Sequence, residues 1–136
     1  MDWKKVYQNR LKKLADHLMT GKLGHKKFDF VVFNTSYGNG DIANKCGTNG
    51  CAIGECPIIF KSWKFDDEGD PCFKGFSSAM RSAKEFFDIN FPESEHLFLP
   101  RRQHADIYGG KFLEATATRK QVARNIYAFI KIKAGK

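Results

Sequence analysis

Long apolar runs are missing from these 136 residues. No stretch approaches the roughly 20 apolar residues that span a bilayer. The opening Met1-Asp2-Trp3-Lys4-Lys5-Val6-Tyr7 lacks the apolar core of a secretion signal. A cytoplasmic protein without membrane contact is therefore expected, with its four cysteines as reduced thiols. There is no Cys-x-x-Cys pair, no P-loop spacing and no EF-hand ligand pattern. Internal repeats, low-complexity tracts and domain linkers are absent too. Acidic residues are missing altogether from residues 119–136.

What is there suits one folded domain, 1–136, large enough for a hydrophobic core without staples. The hydrophobic fraction is 42%, with thirteen Phe, which excludes a disordered chain. Net charge is +8, and it is unevenly placed. Residues 1–27 hold eight Lys/Arg against two Asp, and residues 119–136 hold six Lys/Arg. Residues 28–118 carry nine bases and thirteen acids, so the middle is acidic and both ends are basic. Such asymmetry suits a protein that meets an acidic partner, although lysine on the wet face of a helix also serves solubility.

Trp3, Tyr7, Leu11, Leu14 and Leu18 fall on one stripe, which predicts a helix over about 2–20 ended by Gly21. Phe28–Phe33 reads as a short strand or extended strap, and residues 34–41 as a loop. Phe76, Met80, Ala83 and Phe87 predict a helix over about 76–88. Asn90 and Pro92 mark a further helical start, stopped before Pro100. Thr118 and Gln121 form a capping-box pattern ahead of Val122, Ile126, Phe129 and Ile130. The fold class expected is mainly α, with four to five helices and an irregular, partly extended middle containing short strands.

Three cysteines and three glycines crowd into residues 45–57. One reading is packing: Thr48 caps a helix starting near Asn49, Pro57 ends it, and Cys51, Ala52, Ile53 and Gly54 let neighbours approach closely. A zinc site is the second, but the spacing Cys46-x4-Cys51-x4-Cys56-x15-Cys72 lacks paired knuckles, and no histidine sits with a cysteine. The third is thiol chemistry, with Cys46 activated ahead of a helix and Cys51 as the resolving thiol. It lacks an identifiable base. No metal and no cofactor is expected. Gly38–Gly40 and Gly47–Gly50 read as turns more readily than as phosphate cradles, Asp66–Asp70 as a solvated turn, and Arg101–Arg102 as a basic loop.

The run Cys46-Gly47-Thr48-Asn49-Gly50-Cys51-Ala52-Ile53-Gly54 is followed by a Phe-rich helix, by Glu95-His96-Leu97-Phe98 and by a Thr-capped terminal helix. This order resembles a family of small uncharacterised bacterial and phage proteins with a Cys-Gly-Thr-x-x-Cys-x-x-Gly signature. The likeness covers roughly residues 28–132. It implies a soluble, mostly helical bacterial or phage protein and carries over no activity and no catalytic residue. Cys56, Cys72 and the basic terminal helices lie outside the family's pattern.

The function expected is a non-enzymatic binding module contacting nucleic acid or an acidic protein surface. Its contact residues would be Lys4, Lys5, Lys12, Lys13, Arg119, Lys120 and Arg124, provided the two basic helices lie side by side. The alternative is a cysteine-dependent enzyme or redox-active protein using Cys46 and Cys51.

Overall fold

The computed structural model describes residues 3–24, 27–28, 30, 49–67, 70–76, 78–100 and 103–135. Six helices dominate the described residues, with two short two-stranded sheets. The first helix, α1, runs Lys5–Thr20 and ends at Gly21 in the left-handed conformation (φ 75°), as its glycine predicts. Its apolar stripe faces inward: Leu11, Leu14 and Leu18 are fully buried.

Strand β1 (Lys27–Phe28) pairs in parallel with β2 (Asn49–Gly50). Residues 31–48, which include the expected loop, Cys46 and Thr48, lie outside the described residues. The next helix, α2 (Ala52–Ile59), takes Cys51 as its N-cap instead of starting near Asn49. The backbone of Asn49–Gly50 is committed to the ladder with β1, and that long-range pairing overrides the local capping signal. Pro57 sits inside α2 instead of ending it. Without an N–H it cannot make the i→i−4 bond to the Ile53 carbonyl, and the helix lasts only two residues more.

Strand β3 (Trp63–Phe65) pairs antiparallel with β4 (Pro71–Phe73). Helix α3 covers Ala79–Phe87, starting later than its periodicity predicts, because a turn at Lys74 (φ 49°) and Gly75 (φ 77°) redirects the chain. Ser78 caps it by accepting from Arg81 N–H. Phe76 consequently precedes the helix and stacks on Phe73, while Ala79, Ser82, Ala83, Phe86 and Phe87 form the buried face. Helix α4 (Phe91–Phe98) carries the Asn90–Glu93 capping box, and α6 (Arg119–Ala134) the Thr118–Gln121 box. One turn of helix between them, α5 (Ala105–Tyr108), is too short to have a period, and the sequence does not announce it.

The buried side chains form one cluster. Helix α1 lies against α6 on one flank and against α2 and α3 on the other, with α4 and α5 behind α6. Trp3 locks the arrangement: its indole N–H donates to the Phe87 carbonyl at 2.9 Å, and its ring meets Phe129 edge-on. No helix among the described residues is long and apolar enough to cross a membrane.

Candidate functional site

Helices α1 and α6 run antiparallel. Arg119, in the first turn of α6, donates to the Leu18 and Met19 carbonyls at the end of α1, at 2.7 and 3.0 Å. At the opposite end, the Lys133 amine sits 5.4 Å from the ring centre of Trp3. This pairing brings Lys12 level with Arg124 and Lys5 level with Lys131. Lys120, Arg124 and Lys131 are exposed and share one face of α6, being four and seven residues apart. Lys5 and Lys12 are exposed and share one face of α1.

A bonded chain across the seam fixes how these faces meet. Lys12 Nζ lies 3.1 Å from Asp16 Oδ2, and the Tyr127 hydroxyl donates to Asp16 Oδ1. The Tyr127 bond, helped by Lys12, holds the Asp16 carboxyl below its ordinary range. Burial and the Asp16 charge push the Tyr127 hydroxyl up to about 12. Lys12 and Tyr127 therefore stand beside each other on the outer side of the helix pair. Asp16 is the sole carboxylate of α1, and α6 has none.

Not every expected contact residue joins this face. Arg119 is spent on the carbonyls that end α1, where it satisfies acceptors left over by the helix. The Lys13 amine turns to the other flank, 5.3 Å from the Phe60 ring, beside an open groove that Arg10 and Lys61 also line. Lys4 is exposed at the N-cap of α1. Lys131 joins the face, although sequence reasoning does not include it among the contact residues. Its place at seven residues from Arg124 is the available signal. Lys133, by contrast, is consumed by Glu93, at 3.0 Å in a nearly buried pair.

In the described part of the cysteine segment, Cys51 and Cys56 are core residues. Cys51 and Cys56 are buried, and burial raises both thiols, Cys51 to about 12. A reactive thiol needs the opposite shift. Cys51 therefore lacks the environment of the expected resolving thiol, whatever position its partner takes. Cys46 lies outside the described residues. Cys72 is half-buried and its thiol is also raised, by burial and then by Asp66. Among the described residues no three His, Cys, Asp or Glu side chains stand close enough to hold a metal ion. Residues 38–40, 47–48 and 101–102, the weaker phosphate candidates, are outside the described residues.

His96 is fully buried. Its Nδ1 accepts the His104 backbone N–H at 2.7 Å, which places the ring proton on Nε2, where no acceptor meets it. Rings of His104, Tyr108 and Phe129 surround it. Burial, then His104, lowers its pKa from 6.5 to about 4. The unfolded chain therefore binds the extra proton first as pH falls. Stability from this group is complete above pH 6.5 and is lost on acidification towards pH 4. The expected loss is about 3 kcal/mol, at about 1.4 kcal/mol for each tenfold change in proton affinity. Urea melts at pH 7, 5 and 4 should show it as the difference between the native chain and His96→Gln, whose curve should be flatter. Parallel curves would contradict the assignment.

Neither a family model, nor a curated protein, nor a solved structure matches this chain.

Proposed function

We propose that the protein is a non-enzymatic binding module whose outer α1–α6 face engages the phosphate backbone of a nucleic acid. One observation carries this: Lys5, Lys12, Lys120, Arg124 and Lys131 share a face whose carboxylate, Asp16, is already bonded to Lys12 and Tyr127. Lys5 and Lys12, like Arg124 and Lys131, are two turns apart, about 10 Å along the axis. The cations thus flank a seam of packed helices instead of being spread around the molecule. Such a face supplies electrostatic affinity without sequence readout.

Counterion release gives the test. With Lys12 paired to Asp16, four phosphate contacts on a single strand imply a slope of about −2.8 in log affinity against log salt. Affinity for a labelled oligonucleotide should therefore fall roughly 50-fold between 50 and 200 mM KCl. The triple variant Lys120→Gln, Arg124→Gln, Lys131→Gln should flatten that slope by about 2. Fluorescence anisotropy reads both. No binding at 50 mM salt, or binding indifferent to the triple variant, would reject a nucleic-acid face and leave an acidic protein as the partner class.

A further inference from the structure

Arg124 belongs to a second feature. It forms the boundary between the basic face and a cavity of about 330 Å³, whose walls also include Lys111, Phe112, Gln121 and Asn125. That volume is at the small end of ligand cavities, about 300–1,000 Å³. The cavity lies between α6 and the segment that follows α5, and that segment is firmly held. Gly109 and Gly110 take positive φ (75° and 83°), turning the chain back onto α6. Lys111 N–H then donates to Asn125 Oδ1 at 3.0 Å. Two residues later Leu113 N–H donates to the buried Gln103 Oε1 at 3.1 Å. A Cβ on Gly110 would collide with Asn125 Oδ1, so the close approach depends on glycine there.

Between these two anchors stands Phe112, with 67% of its surface exposed. Its backbone neighbours are fixed while its ring is left in water, an unfavourable place for an apolar side chain unless something covers it. Asn125 supplies the second signal. It is 2% exposed, its Oδ1 is occupied by Lys111, and its Nδ2 has no hydrogen-bond partner. A buried amide donor without an acceptor is unfavourable, and a ligand oxygen or ring nitrogen would relieve it. An aromatic platform and two cations, Lys111 and Arg124, line one small space, with the unsatisfied Asn125 amide buried behind its wall.

We infer that this cavity is a nucleobase pocket, and that the nucleic acid met by the basic face is therefore single-stranded. The inference rests on the phosphate-binding reading above and sharpens it. An unpaired base would stack on Phe112 and present a carbonyl oxygen or ring nitrogen to Asn125, while Arg124 holds the adjoining phosphate. A duplex cannot do this, because its base faces are stacked and its hydrogen-bonding edges are paired. Base–aromatic stacking is the usual means of sequence-tolerant single-strand binding. The occupied Asn125 Oδ1 leaves the pocket a donor, so it selects bases by their acceptors.

The experiment compares a short labelled oligothymidylate with a duplex of equal length on the full chain, across a salt series. The native protein should prefer the single strand. Phe112→Ala should lower single-strand affinity roughly 5- to 100-fold, the range of one stacked base, with the salt slope retained. Phe112→Trp should restore the affinity. Thymidine monophosphate should perturb the Phe112 and Asn125 NMR signals where inorganic phosphate at equal concentration does not. Equal affinity for both oligonucleotides, with Phe112→Ala indifferent and the steep salt slope intact, would overturn the pocket and leave the basic face standing. No binding of either oligonucleotide would overturn both. Because Phe112 is exposed, its variants should melt as the native chain does, so a loss of binding reads on contact and not on folding.

Discussion

Glu55→Ala should destabilise the fold by about 2–6 kcal/mol, at about 1–3 kcal/mol for each of two largely buried partners left unsatisfied. The Glu55 side chain has no exposed surface, yet it sits on α2 among core residues. Its Oε1 accepts from His17 Nε2 at 2.7 Å and from Gly24 N–H at 2.7 Å. It therefore ties α2 both to the last turn of α1 and to the chain just beyond it. Gly24 is pressed so closely on α2 that a Cβ there would collide with Ile58, which limits access by water. Deleting the carboxyl strands a mostly buried imidazole and a backbone amide at once. Glu55→Gln keeps an acceptor oxygen and should cost less, about 1–2 kcal/mol. Urea melts of the two variants test the order. A loss under about 1 kcal/mol for Glu55→Ala would mean that His17 and Gly24 find other partners.

Phe86→Ala should cost about as much, 3–5 kcal/mol, through lost burial and a residual cavity (about 3–5 kcal/mol for this class of change). Phe86 is the hub of the aromatic layer. Its ring centre lies 4.7 Å from Phe60, 4.9 Å from Phe73, 5.1 Å from Phe87 and 5.6 Å from Trp63. These are edge-to-face contacts, each favourable beyond the area it buries. On its outer side the Arg10 guanidinium covers the ring at 4.2 Å and also donates to the Phe86 carbonyl at 2.8 Å. Truncation would open the layer to water beside Trp63. A red shift in tryptophan emission under native conditions should accompany the lost stability, and Phe86→Leu should show less of both. A melt within about 1 kcal/mol of the native chain would show that the layer closes over the gap.

The helices legible in the sequence are those whose ends are written in adjacent residues. Asn90 with Glu93, and Thr118 with Gln121, are four-residue capping devices, so α4 and α6 begin where local chemistry says. The apolar stripe of α1 is similarly local. By contrast, α2 begins late because Asn49–Gly50 pairs with Lys27–Phe28, more than 20 residues away. Nothing in the neighbourhood of Thr48 encodes that partnership. Phe76 matches a helical period but belongs to the stack on Phe73, since the turn at Lys74–Gly75 has no counterpart in the periodicity.

The candidate site divides in the same way. Charge asymmetry and antiparallel helices are enough to bring Lys5, Lys12, Lys120 and Arg124 together. Arg119 and Lys13 carry identical charge but opposite fates, one spent on carbonyls of α1 and one turned towards Phe60. Phe112 is invisible for a simpler reason: in a chain with thirteen Phe, composition gives no way to tell which of them are left in water.

The seam between α1 and α6 also sets when the first helix can be covered during synthesis. Arg119 and its acceptor Leu18 are 101 residues apart. At about 5–20 residues per second, a ribosome delivers the second roughly 5–20 s after the first. For that interval the Leu11–Leu14–Leu18 ridge has emerged without the helix that shields it. Contacts this distant also slow the final search, because the loop must close before they reward it. The newborn chain thus keeps the α6-facing side of its first helix uncovered until the last described helix has emerged.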